Sequence, residues 1–142
     1  MPLRKQYILV NSDDRENAFD TTTNFTVRLS SALTNVVKLD LVEFILDYGI
    51  DLSGNRPSFF LVQSRNLGTD VVASSGSIGY WRLIPNTASN GYLAYTNSRE
   101  DSYLTSGRTI QDIDIQLLLP NGTIVNNGGK PVRLLLEAVI AE

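Results

Sequence analysis

The densest run of groups able to hold a cation or move a proton is Asn11-Ser12-Asp13-Asp14-Arg15-Glu16, followed by Asp20. Clustered oxygen ligands of this kind suit hard cations such as calcium. The spacing departs from the D-x-[DN]-x-[DN]-G loop and Arg15 sits inside the run, so the segment 11–20 reads first as a solvated turn shaped by Asp and Asn side chains. Ten Asp and five Glu also allow many carboxylate pairs of the kind glycoside hydrolysis needs, but spacing singles none out. Asp112 and Asp114 share one face of a strand and are expected to face solvent. Tyr80, Trp81, Tyr92, Tyr95 and Tyr103 offer a sugar-binding cleft as one reading. Amphipathic aromatics in a β-protein more often fill the core edge, with a hydroxyl or indole N–H at the rim.

Other chemistries fail on composition or spacing. Histidine and cysteine are both absent, which removes Ser-His-Asp and Cys-His nucleophile systems, His- or Cys-ligated metals and any disulfide framework. A phosphate-binding loop needs Gly five residues before the Gly of a Gly-Lys pair. Counting back from Gly129-Lys130 reaches Ile124, and Pro131 stands where Ser or Thr should follow. A Ser-x-x-Lys nucleophile fails as well, since Pro2, Asn35 and Asn127 precede the three lysines at that distance. The sequons at Asn24 and Asn121 are what a chain rich in Asn, Ser and Thr yields by chance. No catalytic, cofactor-binding or metal-ligating residue is assigned, and the chain is expected not to be an enzyme.

Charge and length narrow the partners. A net charge of −3 and twelve scattered Lys and Arg give no basic patch for nucleic acid. No apolar run approaches a membrane span, so no direct membrane insertion is expected. Nothing near Leu3–Val10 resembles a secretory signal, so the mature chain is expected to begin at Met1. The absence of Cys is compatible with folding in a reducing cytosol. At 142 residues the expectation is one domain over 1–142 with one core.

The elements that must position these residues are strands. Ile113, Ile115, Leu117 and Leu119 alternate with more polar neighbours, and Pro120-Asn121-Gly122-Thr123 predicts a reversal through a type I′ Asn-Gly turn into Thr123–Val125. Further strands are expected at 6–11, 24–29, 36–46 and 58–63, with short ones at 80–84 and 92–95 in the loop-rich region 64–107. The apolar phase slips from Leu39 and Leu41 to Val42, Phe44 and Leu46, which predicts a bulge near Leu41–Val42, with a short helix as the competing reading. The dense apolar run from Val132 to Ala141 predicts a closing strand buried on both faces. Strands at this spacing predict an all-β, two-sheet antiparallel sandwich, a description that fits both simple sandwiches and jelly rolls.

Several segments resemble one viral family. Tyr7-Ile8-Leu9-Val10-Asn11-Ser12-Asp13-Asp14-Arg15, then Thr21-Thr22-Thr23-Asn24-Phe25-Thr26-Val27-Arg28-Leu29, then Val36-Val37-Lys38-Leu39-Asp40-Leu41-Val42-Glu43 follow in the order of the opening of small jelly-roll structural proteins of icosahedral double-stranded DNA viruses. The ending, Ile110 to Gly122 followed by Leu134-Leu135-Leu136-Glu137, is similar too. The third segment departs from the pattern, running on through Phe44-Ile45-Leu46 where many relatives have Pro. The resemblance is to vertex (penton-type) or minor capsid proteins of internal-membrane phages, virophages and large DNA viruses. It implies a single jelly roll assembling as a homopentamer at the capsid vertex of a virion formed in the host cytoplasm. The implied partners are further copies of itself, the major capsid protein, and a spike or receptor-binding protein. The rival reading is a receptor- or carbohydrate-binding module whose platform is the aromatic region from Tyr80 to Tyr103.

Overall fold

Alternation of apolar and polar residues is realised as strands throughout. The computed structural model describes residues 2–47, 57–68, 71–72, 74, 79–87, 92–97 and 107–142. In chain order these form β1 (Leu3–Asn11), a 3-10 turn (Ser12–Asp14), β2 (Asn24–Asp47), β3 (Phe59–Gln63), β4 (Arg82–Pro85), β5 (Tyr92–Thr96), β6 (Arg108–Leu118) and β7 (Val132–Ala141). All pairings between them are antiparallel. The seven strands make one hydrogen-bonded sheet in the order β1-β7-β2-β6-β3-β4, with β5 also on β2, curled into a half-barrel.

The curl comes from β2. The two strands expected at 24–29 and 36–46 are a single strand of 24 residues, far longer than the usual five or six. Its first half pairs with β6 and its second half with β7, and Val36 pairs with both Arg108 and Ile140. Between the halves the register with β6 shifts twice, and Asn35 takes a left-handed φ of 57°, a conformation that Asn tolerates better than most side chains. Residues 30–35 are exposed apart from half-buried Leu33, so little core contact opposes the bend. Gly107 lies against it: a Cβ there would sit 3.3 Å from the Asn35 Cα.

The predicted irregularity near Leu41–Val42 is a β-bulge. Leu41 faces Leu136 while Glu43 faces Leu135, so Val42 is the extra residue. It switches Phe44 and Leu46 onto the buried face with Leu39 and Leu41, and no helix forms there.

β6 alternates as expected, with Ile113, Ile115 and Leu117 fully buried, each such side chain stabilising the fold by about 1.5–3 kcal/mol. The reversal after it is present, but with different geometry. Gly122 N–H donates to the Leu119 carbonyl at 2.8 Å, which puts Pro120 and Asn121 at the turn's centre. Gly122 is left-handed at φ 88° while Asn121 is not. This is the three-residue hairpin loop rather than the type I′ turn, because proline's fixed negative φ excludes a primed turn centred on it. Beyond the turn a single bridge, Leu118 to Ile124, replaces the expected strand.

β7 also departs from expectation. It alternates between fully and half-buried positions up to Glu137, and only Ala138 to Ile140 are buried on both faces. Arg133 and Glu137 keep one face of this central strand in contact with water.

Candidate functional site

The acidic segment is a set of turns. Asn11 accepts from the Asp13 N–H at 3.0 Å and caps the 3-10 turn. Asp13 lies 3.9 Å from Arg133 of β7. Ser12 is fully buried, its hydroxyl accepting from the Val132 N–H at 2.9 Å. Asn17 then closes a tight turn with Asp20, accepting the Phe19 N–H on its side chain and the Asp20 N–H on its carbonyl, both at 3.0 Å. Among the described residues, no three carboxylates gather where one ion could join them.

Behind this segment lies a cleft of about 470 Å³ between residues 15–23 and 124–129. Its polar floor is committed to holding loops together. The Thr22 hydroxyl donates to Asn127 Oδ1 at 3.1 Å, the Thr23 hydroxyl to the Val125 carbonyl at 2.6 Å, and Asn127 Nδ2 to the carbonyls of Asp47 and Lys130. Arg15 donates to the Ser12 carbonyl at 2.9 Å. Both hydroxyls point their protons at acceptors that are not bases, so neither is set up as a nucleophile.

A second, more open cleft of about 380 Å³ includes Asn24, Arg65, Asn66 and Asp114. Asp114 was expected to face solvent. Instead its carboxylate accepts from the Ser64 hydroxyl (2.9 Å), the Arg65 N–H (2.9 Å) and the Asn66 N–H (3.1 Å), pinning the turn after β3 onto β6. Asp112 remains at the surface, 3.3 Å from Arg28 across the β2–β6 pair. The two carboxylates on one strand face thus have different roles, because only one of them meets the 64–67 turn.

The aromatic residues do not converge. Trp81 is fully buried and Tyr80 nearly so, whereas Tyr92 is half-exposed. The Tyr95 hydroxyl reaches Asn97 at 3.4 Å, and Tyr103 lies outside the described residues. The indole N–H of Trp81 was expected at the rim but lies in the interior, with no hydrogen-bond partner among the described residues. Its ring is covered by the buried Arg82 guanidinium, 4.6 Å from the centroid, a cation–π contact that gains strength when desolvated. Arg82 also donates to the carbonyls of Trp81 (2.7 Å) and Leu39 (3.3 Å) and lies 3.7 Å from Asp40, which Lys38 approaches at 3.6 Å.

Several large apolar side chains among the described residues stand at the surface. Leu3, Tyr7 and Leu9 of β1 are each more than half exposed, and Phe19, on the Asn17–Asp20 turn, is 96% exposed. Sequence reasoning passed over these residues because exposure is not visible in type alone. The unbroken apolar run Tyr7 to Val10 was the available signal, since a strand with one wet face should alternate. The sequence matches no family model, and no curated protein matches it.

Proposed function

We propose that this chain is a structural subunit of an icosahedral virion, a single jelly roll that occupies the capsid vertex and performs no catalysis. The observation that carries the fold part of this reading is the division of β2. Its second half lies among β1, β7 and β5, its first half beside β6, β3 and β4. Counting the halves of β2 separately gives two groups of four strands, and the chain passes between them at every step except β3 to β4, an order that supports the jelly-roll reading.

The functional part rests on where the polar groups are spent. Both clefts are lined by side chains that bind the protein's own loops, while large apolar side chains stand in solvent on β1 and on the turn at Phe19. A surface of that kind suits contact with other proteins. A homopentamer requires two different faces of one subunit to be complementary, and the major capsid protein would surround the ring. A spike or receptor-binding protein is a further partner in this reading. The carbohydrate-binding alternative has less support, since Trp81 and Tyr80 of its aromatic region are inside.

The test is the composition of purified particles from cells that make this chain. The account expects it in the particle at five copies per vertex, a small constant fraction of the major capsid protein. Its absence from particles removes the proposal.

A further inference from the structure

The outer edge of β1 is an open strand edge nine residues long. β1 pairs with β7 on one side over nine residues and with no other described strand. Its hydrogen-bonding phase can be read from the neighbouring pair. The Glu142 N–H donates to the Pro2 carbonyl at 3.0 Å, so even-numbered residues of β1 direct their backbone groups to β7. In an antiparallel ladder the alternate residues then direct theirs outward. These are Leu3, Lys5, Tyr7 and Leu9. The outward Tyr7 carbonyl meets a side-chain donor, Gln6 Nε2, at 3.4 Å rather than a strand.

The same four residues carry the exposed face. Leu3 is 59% exposed, Tyr7 52% and Leu9 63%, and Leu9 stands opposite half-buried Leu135 of β7, so the apolar surface continues inward from the edge. An open edge with this much apolar surface recruits other strands unless it is covered.

We propose that β1 pairs with β1 of a second copy of this chain, antiparallel about a two-fold axis at Gln6. The partner is selected by the sequence of the edge itself. Outward-directed residues must face each other, which leaves three central registers. An axis at Lys5 sets the two lysines against one another, a destabilising like-charge pair. An axis at Tyr7 leaves Leu3 facing Asn11. The axis at Gln6 sets Leu3 against Leu9 of the second copy and Lys5 against Tyr7, at both ends alike, and uses all four outward residues of each strand. Six large side chains, each more than half exposed in the single subunit, then pack side by side along the new strand pair, whose backbone edge is covered. Such an isologous contact cannot itself build a ring of five. The pairing therefore belongs to the free subunit, protecting its edge before assembly, and it stands whether or not the vertex role does.

The cysteine-free chain permits a register-specific test. Residues at the two-fold axis form a non-hydrogen-bonded pair with Cα atoms about 4.5 Å apart, a separation within the range a disulfide spans. Purified Gln6→Cys, mildly oxidised, should run as a covalent dimer, and Lys5→Cys should not. In sedimentation the natural chain should be dimeric, and Leu9→Glu should weaken the dimer by about tenfold or more with an unchanged circular dichroism spectrum. A monomeric natural chain, a pentamer without the Gln6→Cys cross-link, or equal cross-linking of Lys5→Cys would each overturn the proposal.

Discussion

Arg82 Nη2 donates to the Leu39 carbonyl at 3.3 Å, joining β4, the last strand of the sheet, to the middle of β2. The contact falls where β2 changes partners, after β6 ends at Val36 and before β5 begins at Glu43. Asn97 serves the same stretch, donating from its side chain to the Leu41 carbonyl at 3.0 Å and from its backbone to Val42 at 2.9 Å. Arg82 and Asn97 thus both donate to backbone carbonyls in the stretch where β2 changes partners.

Arg82→Met keeps much of the side-chain volume and removes these donors. Losing hydrogen bonds from a charged donor costs about 1.5–3 kcal/mol, and loss of the contacts to Asp40 and the Trp81 ring adds to it. Urea unfolding should show a loss of at least about 2 kcal/mol. Wild-type stability in this variant would mean that Arg82 does not hold the curl closed.

Asp114→Ala removes the acceptor for three donors in the turn after β3. The expected cost is about 1–3 kcal/mol, with amide exchange accelerated at Arg65 and Asn66. Asp112→Ala, which removes a surface ion pair with Arg28, should cost about 0–1 kcal/mol. Equal effects of the two would contradict the distinction drawn between them.

Much of the strand content was legible because β-periodicity is local. The alternation at Ile113–Leu117 and the phase slip at Val42 both report which face of a strand is wet, and both are seen in the fold. The fusion of the 24–29 and 36–46 segments was not legible. Residues 30–35 look like a polar connection, and the pairing that joins them to the sheet, Leu33 with Ile110 of β6, is long-range. The roles of Arg82 and Asp114 were hidden for the same reason, as each acts on backbone that is 43 and 48–49 residues away in sequence.

Gly122→Ala should destabilise through backbone strain alone. Its φ is 88°, and a Cβ there would meet nothing within 4 Å, so the cost is the left-handed penalty of roughly 1–2 kcal/mol. Thermal melting measures it. No change would mean that the Pro120–Gly122 turn does not fix the hairpin.

Asp13→Ala should leave the fold intact. Its contact to Arg133 is long, at 3.9 Å, and the two side chains are 55% and 39% exposed, a geometry worth about 0–1 kcal/mol. Calcium should not change the melting temperature of either protein. A calcium-dependent rise that Asp13→Ala abolishes would show that the 11–20 segment is a cation site rather than a set of turns.

The central claim is that this chain works through its surfaces as part of a viral shell. Labelling purified particles with an antibody against the chain and imaging them measures this directly. The account predicts label confined to the fivefold corners. Label spread evenly over the facets, or none on intact particles that lack a covering layer, would contradict it.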